Sequence, residues 1–199
     1  MAFKLKSTFG DHNIYEYDTI QNPFLQFFQK LYNHTDLSNL NLGSNFDFNN
    51  INNINNINDV DLSNIDTDLH KKFYSYIKSN DEFKILYTNM IIAIFNYFYP
   101  DEQIMIFQSY PSIRIQFFNN IVVPPHYDSD DLGKHPIGEK NFILPITKMF
   151  GTNTIFIESH PNSKDFKGIQ LEYGDLFFLT ETNAHIIIKK ILKKTFVFH

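Results

Sequence analysis

The residues of this sequence best suited to chemistry lie in the run Pro124-Pro125-His126-Tyr127-Asp128. On an extended or gently turning backbone, side chains at i and i+2 share a face, so His126 and Asp128 reach toward one ion while Tyr127 points away. His185, at the head of a predicted strand further on, supplies a third donor. Two imidazoles and one carboxylate then occupy one side of a metal and leave coordination positions open on the other. There is no cysteine, so any metal is held by nitrogen and oxygen donors. Taken alone, a His and an Asp two apart fit a loop hydrogen bond better than an ion site. Context shifts that balance. The pair follows a predicted strand with one inward Arg, Arg114, and several more short strands precede His185.

The elements that must position these residues differ between the two halves of the chain. Over 23–32, Phe24, Leu25, Phe27, Phe28, Leu31 and Tyr32 recur at the spacing of a helix with one buried face. Asn dominates the segment from 39 to 58, where Ile51, Ile54 and Ile57 recur every three residues. That period suits neither strand nor helix and reads as a low-complexity surface loop. Asp66, Thr67 and Asp68 can cap a helix burying Leu69, Phe73, Tyr76 and Ile77, and Asp81 with Glu82 can start another that stops at Pro100. Beyond Pro100 come short runs rich in Ile, Phe, Val and Thr, closed by turn residues, at 104–108, 112–118, 141–147, 153–158, 169–172, 175–180, 185–192 and 195–198. The expectation is one α+β domain over 1–199. Residues 1–100 form a mainly helical layer, and 101–199 form an antiparallel sandwich or barrel. Within 112–118, Ile113, Ile115 and Phe117 share one face and Arg114 with Gln116 the other, as in a lining with polar groups inside.

Several blocks then fall in a recognisable order: Pro111-Ser112-Ile113-Arg114-Ile115, His126-Tyr127-Asp128-Ser129-Asp130, His135-Pro136-Ile137-Gly138-Glu139-Lys140-Asn141, Leu144-Pro145-Ile146-Thr147, Gly151-Thr152-Asn153-Thr154 and Ile157-Glu158-Ser159. Over 104–185 this order resembles the streptomycin-biosynthesis-type, phytanoyl-CoA-hydroxylase-like branch of the 2-oxoglutarate/Fe(II) oxygenases. The resemblance implies a double-stranded β-helix, or jelly-roll, in which His126, Asp128 and His185 bind Fe(II) and 2-oxoglutarate and O2 take the open positions. It further implies decarboxylation of 2-oxoglutarate to succinate, coupled to oxidation of an unactivated C–H bond in a small metabolite. The family's Gly-Asp turn before the distal His is present as Gly174-Asp175, which favours His185 over His160 or His199 as that ligand.

Relatives of this kind anchor the far carboxylate of 2-oxoglutarate with an Arg about ten residues after the distal His, where a guanidinium pairs with both oxygens. Here that stretch reads Lys193-Lys194-Thr195-Phe196, and Arg114 is the only Arg in the sequence. Lys193 or Lys194 could supply a point charge instead, and so could Arg114 from its inward strand face. The spacing from Gly174 to His185 is one residue shorter than the family pattern, and the family's further charged strand is not found before His199. A truncated or frame-shifted C-terminus would give that result. A catalytically impaired jelly-roll acting as a metal-binding or small-molecule-binding module is therefore the competing reading. A cupin-like metal isomerase or sugar-binding protein is third, since cupin sites use more His than lie near His126.

A net charge of -5 without charge blocks gives no footprint for nucleic acid or an anionic membrane. The longest apolar run, 90–98, is broken by Asn96 and too short to span a bilayer, so a soluble cytoplasmic protein with a small-molecule substrate is expected. His135 and Glu139 read as loop residues, and His12, His34, His70, His160 and His199 have no partner spacing of a site. Phe107, Tyr110, Phe177 and Phe178 are expected in the barrel core.

Overall fold

The structure is a computed structural model that describes residues 2–39, 68–116, 126–127, 139–179, 185–188 and 195–198. It is a mixed α+β architecture of three α-helices and two antiparallel sheets among those residues. Helix α1 spans Phe24–Tyr32 and buries Phe24, Phe27, Phe28, Leu31 and Tyr32, the face expected from their spacing. Asn33 ends it in the left-handed conformation, φ 53°, which Asn tolerates better than most residues. A short 3-10 turn follows at Leu37–Asn39.

Helices α2 (Asp68–Ile77) and α3 (Asp81–Phe98) are separated by a tight turn. The Asn80 side chain accepts the Phe83 N–H at 2.7 Å, and Asp81 with Glu82 complements the positive end of the α3 dipole. Phe27, Phe28, Phe73 and Phe83 stack or meet edge-on between the three helices. Tyr76, expected on the buried side of α2, is 37% exposed, whereas Phe73 and Ile77 are buried.

Strands β1 (Lys4–Phe9) and β2 (His12–Glu16) form a hairpin that the sequence reading did not foresee. Its turn rests on Gly10, whose φ is +57° and whose missing Cβ would stand 2.1 Å from the Ser159 carbonyl oxygen. Asp11 N–H donates to that same oxygen at 3.1 Å, pinning the turn to the loop after β6. The remaining strands are β3 (Ile113–Gln116), β4 (His126–Tyr127), β5 (Asn141–Pro145), β6 (Ile155–Ile157), β7 (Lys167–Gly168), β8 (Asp175–Leu179), β9 (His185–Ile188) and β10 (Thr195–Phe198). They assemble as a six-stranded sheet in the order β1-β2-β8-β5-β10-β3 and a four-stranded sheet in the order β4-β9-β6-β7.

Alternation along the strands divides the interior into two cores. Ile113, Ile115, Leu144 and Leu176 pack with the helices, while Ile143, Phe177 and Leu179 pack with Ile155 and Ile157 of the other sheet. The six-stranded sheet therefore carries helices on one face and the four-stranded sheet on the other. Neither sheet closes into a barrel among the described residues.

The segment 104–108, expected as a strand, is not assigned as one and has no ladder partner among the described residues. Phe107 and Tyr110, expected in the core, are 44% and 45% exposed, while Phe177 and Phe178 are buried as anticipated. An apolar run becomes a strand only where a sheet edge meets its backbone groups, and composition does not reveal that. Apart from Asn39, the Asn-rich loop lies outside the described residues.

Candidate functional site

The backbone brings β4 and β9 together as neighbours in the four-stranded sheet, so the segments carrying His126 and His185 run side by side. His126 lies level with Ile186, and Tyr127 level with His185. Residues directly opposed in an antiparallel pair share a face, so the two histidines take diagonal positions of opposite parity. The neighbouring ladder has the same register: Ile157 is level with Ile186 and Ile155 with Ile188. His185 begins β9 and Tyr127 ends β4, so their pair closes the ladder, where a one-residue offset would realign His185 with His126. Asp128, Lys193 and Lys194 lie outside the described residues.

Arg114 is half-buried on β3, between Ile113 and Ile115, which are each 1% exposed on the helix side. It is level with Val197 on β10, and Val197 is level with Pro145 on β5. Pro145 has the parity of Ile143, which lies in the core between the sheets. Arg114 thus belongs to the face turned toward the four-stranded sheet. The Ile113 N–H donates to the Tyr74 hydroxyl at 3.1 Å, which ties β3 to α2.

Asn141, which the sequence reading passed over, opens β5 on the same face as Ile143 and is buried. Its signal in the sequence was a polar residue heading the apolar run Phe142-Ile143-Leu144, a position equally suited to a turn.

Gly174, at φ +99°, sets the turn into β8, and Asp175 locks it. Lys6 Nζ lies 2.8 and 3.0 Å from the two Asp175 carboxylate oxygens, and the Glu172 N–H donates to Asp175 Oδ2 at 2.8 Å. The hydrogen bond to Asp175 holds the Lys6 ammonium above its ordinary pKa, against a smaller opposing effect of burial. The Gly-Asp turn thus joins the start of β8 to β1.

Of the remaining histidines, His12 is buried with Nε2 3.1 Å from the Glu158 carbonyl oxygen, and His160 Nδ1 meets Asp11 Oδ2 at 2.6 Å at the surface. No group of three His, Asp or Glu side chains able to hold a metal occurs among the described residues. A surface depression of about 470 Å³ lies between α1 and the loop after β5, lined by Leu25, Leu37, Ile146, Thr147 and Tyr173. Arg114 is not among the residues that line it. No helix of the described residues is long and apolar enough to cross a membrane.

Over 119 residues the chain is 24% identical to the streptomycin biosynthesis protein StrG of Streptomyces griseus, covering 59% of this chain and 52% of that protein. The chain therefore spans about half the length of the curated relative it matches. No family model matches the chain. No solved structure matches it either.

Proposed function

We propose that this chain is a jelly-roll protein of the 2-oxoglutarate/Fe(II) oxygenase type, with His126, Asp128 and His185 as its iron ligands and a small metabolite as its substrate. The observation that carries this reading is the order in which consecutive strands visit the two sheets. From β3 to β10 the chain alternates six-stranded, four-stranded, six, four, four, six, four, six. A double-stranded β-helix winds in that way, and it makes the strands holding the two histidines neighbours although 59 residues separate them. The likeness to a streptomycin biosynthesis protein points the same way, at the level of a name.

The donor chemistry fits: two imidazoles and a carboxylate suit Fe(II) and leave three positions open. Bound there, iron with 2-oxoglutarate and O2 would supply the oxidising power for attack on a C–H bond. The chain's own part is to hold and orient. His126 and Asp128 are two apart in the sequence, and β9, which begins with His185, lies beside β4. Arg114, on the face turned toward the four-stranded sheet, offers a guanidinium to a carboxylate, either of 2-oxoglutarate or of the substrate.

A second reading is favoured by one observation, the β4–β9 register. His126 and His185 have opposite parity in that ladder, and the interval from Gly174 to His185 is one residue short of the family pattern. A one-residue slip turns every side chain of a strand to the other face. Without realignment, the chain keeps the architecture as a binding module and loses the third ligand.

Anaerobic addition of Fe(II) and then 2-oxoglutarate separates the two readings. A visible charge-transfer band in the unsubstituted protein, absent from His126→Ala and His185→Ala, is the expected result. Iron binding that survives His185→Ala unchanged, with no band, would establish the binding-module reading.

A further inference from the structure

Residues 103–108, Gln103-Ile104-Met105-Ile106-Phe107-Gln108, combine three properties that rarely coincide on a monomer's surface. They are uncharged and strand-forming in composition, yet Ile104 is 82% and Ile106 96% exposed, with Phe107 at 44%. No hydrogen bond to another described residue satisfies the backbone of 103–107. The segment is nonetheless held at both ends. The Glu102 N–H donates to the Tyr99 carbonyl, and the Tyr87 hydroxyl donates to the Gln108 carbonyl at 3.0 Å. A tethered, apolar, unpaired strand-former is a template for another strand.

We infer that this segment pairs antiparallel with the same segment of a second copy of the chain, about a two-fold axis at Met105. The inference rests on residues 99–110 alone and stands apart from the proposed oxygenase chemistry.

Symmetry and charge select the occupant and the register. A two-fold antiparallel pair of identical strands must centre on a residue, because opposed residues share a face. Centred on Met105, Ile104 of each copy meets Ile106 of the other, so the two most exposed isoleucines cover one another. Gln103 meets Phe107, Glu102 meets Gln108 and Asp101 meets Ser109, so no two like charges oppose. A parallel in-register pair would instead stack Asp101 and Glu102 against their own copies. Backbone direction agrees. Once the segment is drawn out as a strand of such a pair, alternate residues aim their polar groups to opposite sides, and Gln108 already aims its carbonyl at Tyr87. Residues 103, 105 and 107 then present theirs outward, the set that bonds across an axis at Met105.

Sedimentation equilibrium of the full chain tests this, with Ile106→Lys and Met105→Cys as variants. A dimer is expected, and Ile106→Lys should raise its dissociation constant by roughly tenfold or more while leaving the circular dichroism melt unchanged at protein concentrations where both proteins are monomeric, since Ile106 is solvated in the monomer. The chain has no native cysteine, and the Cα–Cα separation of a hydrogen-bonded antiparallel pair, about 5.5 Å, lies within disulfide reach. Oxidised Met105→Cys should therefore yield a covalent dimer, and the exposed control Leu5→Cys should not. A monomer at all concentrations overturns the inference, as does a dimer indifferent to Ile106→Lys or a failure of Met105→Cys to cross-link.

Discussion

At the scale of single residues, Arg114 carries the most weight for the proposed function, because it is the only Arg in the sequence and so the only guanidinium available to a carboxylate. Its neighbours Ile113 and Ile115 are sealed under the helices, which commits Arg114 to the opposite face of β3. If it anchors the cosubstrate, Arg114→Ala should weaken 2-oxoglutarate binding by roughly 10- to 100-fold in calorimetry, the usual cost of losing a charged hydrogen-bonding partner. Arg114→Lys should recover only part of that, since an ammonium lacks the paired donors. If Lys193→Ala or Lys194→Ala has the larger effect, the anchor lies on the β10 side and Arg114 serves the substrate.

At the scale of elements, the hairpin β1–β2 depends on a backbone that only glycine adopts without strain. Gly10→Ala adds the cost of a left-handed backbone to a collision with the Ser159 main chain. A loss of about 2 kcal/mol or more is expected from urea unfolding. Gly151 has the same conformation, φ +61°, but open space around it, so Gly151→Ala should cost only about 1 kcal/mol. Equal losses at the two positions would show that the contact with Ser159 contributes nothing. The hairpin matters because β2 pairs with β8, and Lys6 of β1 binds Asp175 at the head of β8, which leads toward His185.

At the scale of the whole molecule, the helix layer is welded to the sheet largely by aromatic residues, and this fixes how stability responds to alkali. Burial raises the phenol of Tyr87 to about 12 and pushes those of Tyr17 and Tyr32 further up. A group whose folded pKa exceeds its unfolded value of 10.0 contributes fully below that value and loses its contribution as pH rises through the folded one. The raised Lys6 works in the same direction. Urea midpoints should therefore fall as pH rises from about 10 to about 12, with tyrosinate absorbance lagging that of free tyrosine. A flat midpoint across this range would mean that these phenols reach water in the folded state.

The three helices and most of the strands beyond Pro100 were legible in the sequence, because each depends on residues a few positions apart; the spacing of His126 and Asp128 was equally legible as a candidate site, and it stays a proposal. Phe24, Phe27, Phe28 and Leu31 announce a helix face wherever they occur, and Asp81 with Glu82 announces a helix start; the Asn80 cap emerged only in the structure. The β1–β2 hairpin was missed because Lys4 to Phe9 alternates weakly and its turn is stabilised by Ser159, some 150 residues away. The segment 104–108 was misread for the converse reason: its composition is that of a strand, but no edge reaches it. The sequence by itself determined which residue types could hold a metal, imidazole and carboxylate but no thiolate, since it contains no cysteine. Tertiary structure alone decided that β4 and β9 lie side by side, that Arg114 belongs to the face between the sheets, and that His126 is level with Ile186. Register is a relation between distant strands, and a shift of one residue reverses every face without changing any local preference.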